Sequence, residues 1–347
     1  LPFILGARPP SAEPKPAPGG APERTGQGVF RSDDGGRTWQ AKPWVEGSSA
    51  SIAEFRVNRL IPDPTDPAAL YLATDGSGLW VSRSRGELWA PVQDQAGALE
   101  SASNVLAVAV NPGDPREWYV AAFQKNRGRL FRTADGGKTF GEIYSTPVER
   151  FGVFDVAYDR ARGAVVIATG QGGLLESPDR GQTWRVVRWF ADGLIRLLVN
   201  PADPSVWYVA TSRGNLFRSL DRGANWTDVT GSLAGFSGAR RDQRWTIDGR
   251  GALYVGSRYG LLRSRDRGAS FETMALIVPP DALPVRALAV DPRSPRRIAA
   301  AATASQVYLS ADDGASWAVL SPSSQKRITD LAFDLAQPET IYAVMQP

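Results

Sequence analysis

The sequence contains no cysteine, no histidine and only two methionines. The first absence excludes disulfides, thiolate metal sites and a cysteine nucleophile. The second excludes a Ser–His relay, imidazole metal ligation and a histidine pH switch. A cysteine-free chain fits a reducing cytosol as well as a compartment outside it. No stretch approaches the roughly 18 apolar residues that a membrane helix needs. Charge of one sign is also scarce: 40 Lys and Arg against 36 Asp and Glu leave a net charge of +4. So small an excess argues against a polyanion-binding stripe, and no nucleic-acid partner is expected. With 42% hydrophobic and 22% charged residues in 347 positions, the composition is that of a soluble globular chain.

Glycine (35) and proline (26) are abundant, and their placement organises the chain. The first seven residues, LPFILGA, are apolar and short, as the tail of a secretion signal would be. Residues 8–28, RPPSAEPKPAPGGAPERTGQG, read as an extended Pro/Gly/Ala-rich linker. The expected division is therefore an arm over 1–28 and one domain over 29–347. The arm suggests an extracytoplasmic protein (periplasmic, lumenal or secreted) with membrane-proximal tethering but no integral span.

Beyond the arm one pattern recurs. It reads SDDGGRTW (32–39), SRSRGELW (82–89), TADGGKTF (133–140), SPDRGQTW (177–184), SLDRGANW (219–226), SRDRGASF (264–271) and SADDGASW (310–317). Successive aromatic positions are separated by 42 to 51 residues, about the length of a four-stranded propeller blade. Each copy follows a short alternating run such as GVFRS, RLFRT or NLFRS, which is a strand signature. Before these lie pairs of runs split by proline-rich turns, as in VLAVAVNPGDPREWYVAA. Proline is excluded from a paired strand, so it marks the turn between two of them. Each repeat thus reads as strand A, proline turn, strand B, glycine turn, strand C, box turn, strand D.

The two ends are complementary halves. Residues 29–45 supply strands C and D, and residues 327–345 supply A and B. The predicted fold is all-β, a seven-bladed propeller of four-stranded antiparallel blades. The ring is closed by pairing of 29–45 with 327–345, which removes exposed sheet edges.

The box has a structural chemistry. Its Asp (Asp34, Asp135, Asp179, Asp221, Asp266 or Asp312) can accept backbone N–H groups of its own turn. A glycine such as Gly36 permits positive φ. The aromatic residue (Trp39, Trp89, Phe140, Trp184, Trp226, Phe271 or Trp317) is expected to drop between neighbouring sheets as a spacer. A calcium loop would need carboxylates at several alternate positions, and most boxes have one. No metal and no cofactor are expected.

These motifs resemble the Asp-box, or bacterial neuraminidase-type, repeats, over nearly the whole chain beyond the linker. The motif marks propeller architecture and occurs in sialidases, xyloglucan-type glycosidases, sortilin ectodomains and photosystem II stability/assembly factor-like proteins. The hairpins and proline turns look most like the last, non-enzymatic group. That resemblance implies a scaffold or assembly factor, part of a larger complex, that binds an acidic or extended protein segment and has no catalytic residues. The alternative implied is an exo-acting, sialidase-like glycosidase.

Candidate site residues follow from propeller geometry. The B–C and D–A connections share the face opposite the box turns, and ligands approach that face near the axis. These connections carry Lys125, Arg127, Arg129, Arg188, Trp189, Arg213, Arg240, Arg241, Arg258 and Tyr259, expected to converge as one basic sector. Counting back four residues from the Asp or Asn ending each A strand gives an axial level of Arg59, Ala107, Asp155, Arg196, Arg244, Ala287 and Asp330. Its arginines can bind a carboxylate or a peptide terminus through their planar forks, or pair with Asp155 and Asp330 to line a wet channel. In a sialidase-like reading, Arg59, Arg196 and Arg244 or Arg286 would imitate the arginine triad, and Tyr259 the nucleophile. Asp155 with Asp330, or Asp192, would be the carboxylates of a hydrolase.

Overall fold

The computed structural model describes residues 26–280, 282–302, 305–322 and 324–347. The arm expectation falls largely on 1–25, outside the described residues. There are seven four-stranded antiparallel sheets and, among the described residues, no α-helix. Blade 1 comprises Val57–Pro62, Leu70–Thr74, Leu79–Ser82 and Ala90–Pro91. Blade 2 comprises Asn104–Asn111, Asp114–Gln124, Arg127–Thr133 and Gly141–Ser145, and blade 3 Val153–Asp159, Ala164–Thr169, Gly173–Ser177 and Arg185–Trp189. Blade 4 comprises Leu194–Val199, Trp207–Thr211, Leu216–Ser219 and Thr227–Asp228, and blade 5 Arg244–Ile247, Leu253–Gly256, Leu261–Ser264 and Glu272–Thr273. Blade 6 comprises Ala287–Val290, Ile298–Ala301, Val307–Ser310 and Ala318–Leu320. Blade 7 takes A and B from Arg327–Phe333 and Ile341–Gln346, and C and D from Gly28–Ser32 and Gln40–Ala41.

The expected closure is present. Strand Gly28–Ser32 pairs antiparallel with Ile341–Gln346, Phe30 lying opposite Ala343. The A strands touch in succession around the axis, the seventh against the first. The core sits between blades rather than on the axis. Seven apolar clusters each draw on two adjacent blades; one joins Val29, Val344, Leu60 and Trp89 across the closing seam. Strand B, covered on both faces, is therefore the most apolar: LYLAT, AVVIAT and WYVAT are buried throughout. Strand D, at the outer edge, is short and largely exposed.

The box turns close as their chemistry requires. Asp34 Oδ1 accepts the Thr38 amide at 2.9 Å, its Oδ2 accepts the Thr38 hydroxyl at 2.6 Å, and the Gly36 amide donates to Ser32 Oγ at 2.7 Å. These bonds, those from Thr38 foremost, hold the Asp34 carboxyl down at about 2. The second box lacks the carboxylate, and Ser84 Oγ takes the Leu88 amide at 2.9 Å instead. Gly137, at φ 90°, packs so closely that a Cβ would stand 2.4 Å from the Trp118 ring. The spacer expectation holds fully for Trp89 and Phe140, which are buried. Trp39, Trp184, Trp226, Phe271 and Trp317 are only half-buried.

Candidate functional site

The axial level is set by a common register. Arg59 lies opposite Ala73, Ala107 opposite Ala121, Asp155 opposite Ala168, Arg196 opposite Ala210 and Arg244 opposite Gly256. Ala287 and Asp330 lie opposite Ala301 and Val344. In five blades a bulge immediately precedes this position, its extra residue being Asn58, Leu106, Phe154, Ile195 or Thr329. Arg286 stands one residue outside this level, exposed, its amide donating to the Ala301 carbonyl at 2.8 Å. Arg286 is therefore not at the level of Arg59 and Arg196, where both an axial partner-binding ring and an arginine triad would need it.

Three of the charged residues form one network. Asp155 receives Arg59 Nη1 at 2.9 Å on Oδ1 and Arg196 Nη1 at 3.2 Å on Oδ2. Arg59 reaches two blades along because the residue between them at this level is Ala107, which leaves room. Asp155 Oδ2 also accepts the Leu197 amide of blade 4 at 3.0 Å. Asp330 does the same across the seam, accepting the Leu60 amide of blade 1 at 2.8 Å. Both aspartates thus stitch one A strand to the next.

Their protonation preferences diverge. Burial alone would raise the Asp155 pKa, but the charges of Arg59 and Arg196 and the Leu197 bond outweigh it and hold the group below the ordinary carboxylate range. Asp330 is pushed up, chiefly by burial, which its backbone bonds and the more distant arginines do not offset. Arg196 is lowered by burial and by Arg59, against the pull of Asp155. Arg244 takes no part in the network: it is exposed and donates to the Gln243 carbonyl at 3.1 Å.

On the rim, backbone hydrogen bonds tie each connection to the next. They run from Gly128 to Phe151 (2.8 Å), Gly170 to Gly152 (2.9 Å), Phe190 to Gly172 (2.8 Å) and Ser212 to Gly193 (2.8 Å). Farther round, Arg240 Nη2 donates to the Arg213 carbonyl at 3.2 Å and to Asn215 Oδ1 at 2.5 Å. The Arg258 amide donates to the Arg241 carbonyl at 3.0 Å. Arg213, Arg240, Arg241 and Arg258, all exposed, are thereby gathered from consecutive connections of blades 4 and 5. Arg213 is shared with Asp192 at 3.1 Å.

The remaining rim residues are dispersed among local partners. Lys125 pairs with Glu100 at 3.1 Å, Arg127 with Glu149 at 3.7 Å, and Arg129 with Glu142. Arg127 and Arg129 lie in strand C of blade 2, and Arg188 and Trp189 lie in strand D of blade 3, not in loops as their composition suggested. The Arg188 guanidinium sits over the Phe190 ring at 5.2 Å. The Tyr259 ring packs edge-on against Phe236, and its hydroxyl shares a hydrogen bond with Thr273 at 3.0 Å.

One device was missed in the sequence. In three blades the arginine before the box Ser in strand C reaches the next blade's box turn, whereas Arg132 bonds Glu117 in its own blade. Arg31 Nη1 donates to the Arg85 carbonyl at 2.8 Å, Arg218 Nη1 to Arg267 at 2.9 Å and Arg263 Nη1 to Asp313 at 3.1 Å. The recurrence of Arg before the box Ser carried the signal.

The BNR/Asp-box repeat family matches residues 30–41. The fold is a seven-bladed Asp-box propeller. By sequence the chain is 26% identical over 172 residues to the oligoxyloglucan-reducing end-specific xyloglucanase of Emericella nidulans, covering 44% of this chain and 21% of that protein. It spans about a fifth of the length of the curated relatives it matches. In structure it is similar to the GH74 enzyme of Niastella koreensis, with a TM-score of 0.68 at 18% identity over 84% of this chain and 51% of that one. It is also similar to YCF48 bound to D1 peptide, with a TM-score of 0.63 at 15% identity over 85% of this chain and 96% of that one. Among the described residues no helix is long and apolar enough to cross a membrane.

Proposed function

We propose that this propeller is a non-catalytic recognition module, formed by residues 29–347, that docks an acidic, extended protein segment on its arginine-rich rim. The observation that carries this reading is the chain of loop-to-loop bonds gathering Arg213, Arg240, Arg241 and Arg258 into one exposed patch. Guanidinium groups suit carboxylates because each offers a planar pair of donors. Arg59 and Arg196 extend the positive field to the channel mouth, although Asp155 already takes one bond from each. The likeness to YCF48, a protein solved with a peptide bound, supports the same reading. An arm before the propeller and an extracytoplasmic location belong to this proposal.

The test is fluorescence anisotropy of a labelled glutamate-rich peptide at low and high salt. Binding should weaken steeply with salt. Arg240→Ala with Arg241→Ala should weaken it about tenfold, roughly 1.4 kcal/mol, with melting unchanged. Salt-independent binding, or none, would overturn the proposal.

A second reading, a glycoside hydrolase, is favoured by the curated relatives being xyloglucanases and by the opposite preferences of Asp155 and Asp330. Reducing-sugar release from xyloglucan, lost in Asp330→Asn while its melting temperature holds, would establish it in place of the first.

A further inference from the structure

The rim beside the arginine patch carries exposed aromatic side chains among its paired charges. Phe151 and Phe154 are each 37% exposed and Trp189 is 54% exposed. Phe154 is the extra residue of the bulge in strand A of blade 3, so it leaves the ladder, and its ring lies against Gly152 and Gly170. The bulge residues of the two flanking blades, Leu106 and Ile195, are also apolar and half-buried. Trp189 ends strand D of blade 3, opposite Gly173.

Both rings lie over the same turn, which reads Gly-Gln-Gly-Gly over 170–173. A Cβ on Gly170 would stand 2.8 Å from the Phe154 ring, and one on Gly173 2.9 Å from the Trp189 ring. The turn therefore lets two aromatic rings lie down on backbone while the rest of each ring meets solvent. Through the Gly170–Gly152, Phe190–Gly172 and Ser212–Gly193 bonds, this turn is continuous with the connection that carries Arg213. Aromatic and arginine side chains are the residues that carry most interface energy, and here they share one rim.

We infer that Phe151, Phe154 and Trp189 form an apolar seat next to the cationic patch, so that the partner is a peptide carrying a large apolar side chain beside a run of carboxylates. This rests on the recognition-module reading and deepens it: the arginines take the carboxylates, and the seat takes the anchor. Along the rim the exposed aromatics lie over blades 2 and 3, beside cations that are already paired with local glutamates, and the gathered arginines lie over blades 4 and 5.

The experiment compares two labelled peptides of about ten residues. One is glutamate-rich with Gly and Ser elsewhere; the other is identical except that two of its Ser are Phe. Both are titrated into the wild-type chain, Phe154→Ser with Trp189→Ser, and Gly170→Ala, with phosphatidylserine vesicles in a parallel sedimentation arm. The Phe-bearing peptide should bind the wild type about tenfold tighter than the acidic one. The double variant should erase that gain while leaving affinity for the acidic peptide unchanged, and Gly170→Ala, which displaces the Phe154 ring, should reduce it. Because the gain is read on the wild type, it does not depend on how any variant folds. Equal binding of the two peptides overturns the seat and leaves the arginine reading standing. Binding of neither overturns both. Vesicle binding without any gain for the Phe-bearing peptide overturns the seat in favour of a lipid surface.

Discussion

Asp155 and Asp330 occupy equivalent stations in blades 3 and 7, yet only Asp155 lies within ion-pair distance of arginines among the described residues. Asp155→Asn would leave the Arg59 and Arg196 charges unpaired in a confined channel, and the loss should be about 3 kcal/mol of stability in urea unfolding at neutral pH. The pH dependence has opposite signs at the two positions. Asp155, lowered in the fold, contributes stability that is present above the ordinary carboxylate pKa and is lost as pH falls through its depressed value. Asp330, raised in the fold, favours folding most when protonated, and that contribution is lost as pH rises from the ordinary value through the elevated one. Asn can still accept the Leu60 amide. Asp330→Asn should therefore gain on the wild type in melting temperature as pH rises above the ordinary carboxylate range, whereas a constant difference would refute the assignment. The axial level itself was legible, because the turn Asp or Asn ending each A strand fixes the register. The pairing was not legible: it depends on how far Arg59 extends over Ala107, which spacing does not encode.

At the scale of the element, the box hairpin combines a buried hydroxyl, a carboxylate and a close-packed glycine. Ser264 is buried, and its Oγ accepts the Gly268 amide at 2.7 Å. Ser264→Ala would orphan that donor, and the expected loss is about 1–3 kcal/mol by chemical denaturation. Arg31, Arg218 and Arg263 join three of the hairpins to the next blade. Arg263→Met keeps the stem but removes the bonds to Glu272 and Asp313, so it should lower the melting temperature without altering sheet content by circular dichroism. Strands and boxes were readable because alternation and turn residues act locally. The D strand of blade 3 hid Arg188 and Trp189, because its proline-free run merges into the following loop. Likewise, nothing local announces that Phe154 is a bulge residue, since bulging is decided by the partner strand.

For the whole molecule, closure and packing are one property. The seven apolar clusters lie between blades, so each blade needs both neighbours. Trp207 is fully buried in one of them, and Trp207→Ala should cost about 3–5 kcal/mol. The complementary half-blades at the two ends made ring closure readable from sequence, because four-strand periodicity leaves no other partner for either half. The face that bears the arginines followed from topology as well. Which of them gather did not, because the gathering relies on bonds between loops of adjacent blades.

The central claim is that recognition happens on the rim of blades 4 and 5, opposite the box turns. Hydrogen–deuterium exchange with and without a saturating acidic peptide tests it directly. Slowed exchange confined to the connections at 212–215, 237–245 and 257–260 is the predicted result. Protection of the box turns instead, or of none of these segments, would contradict it.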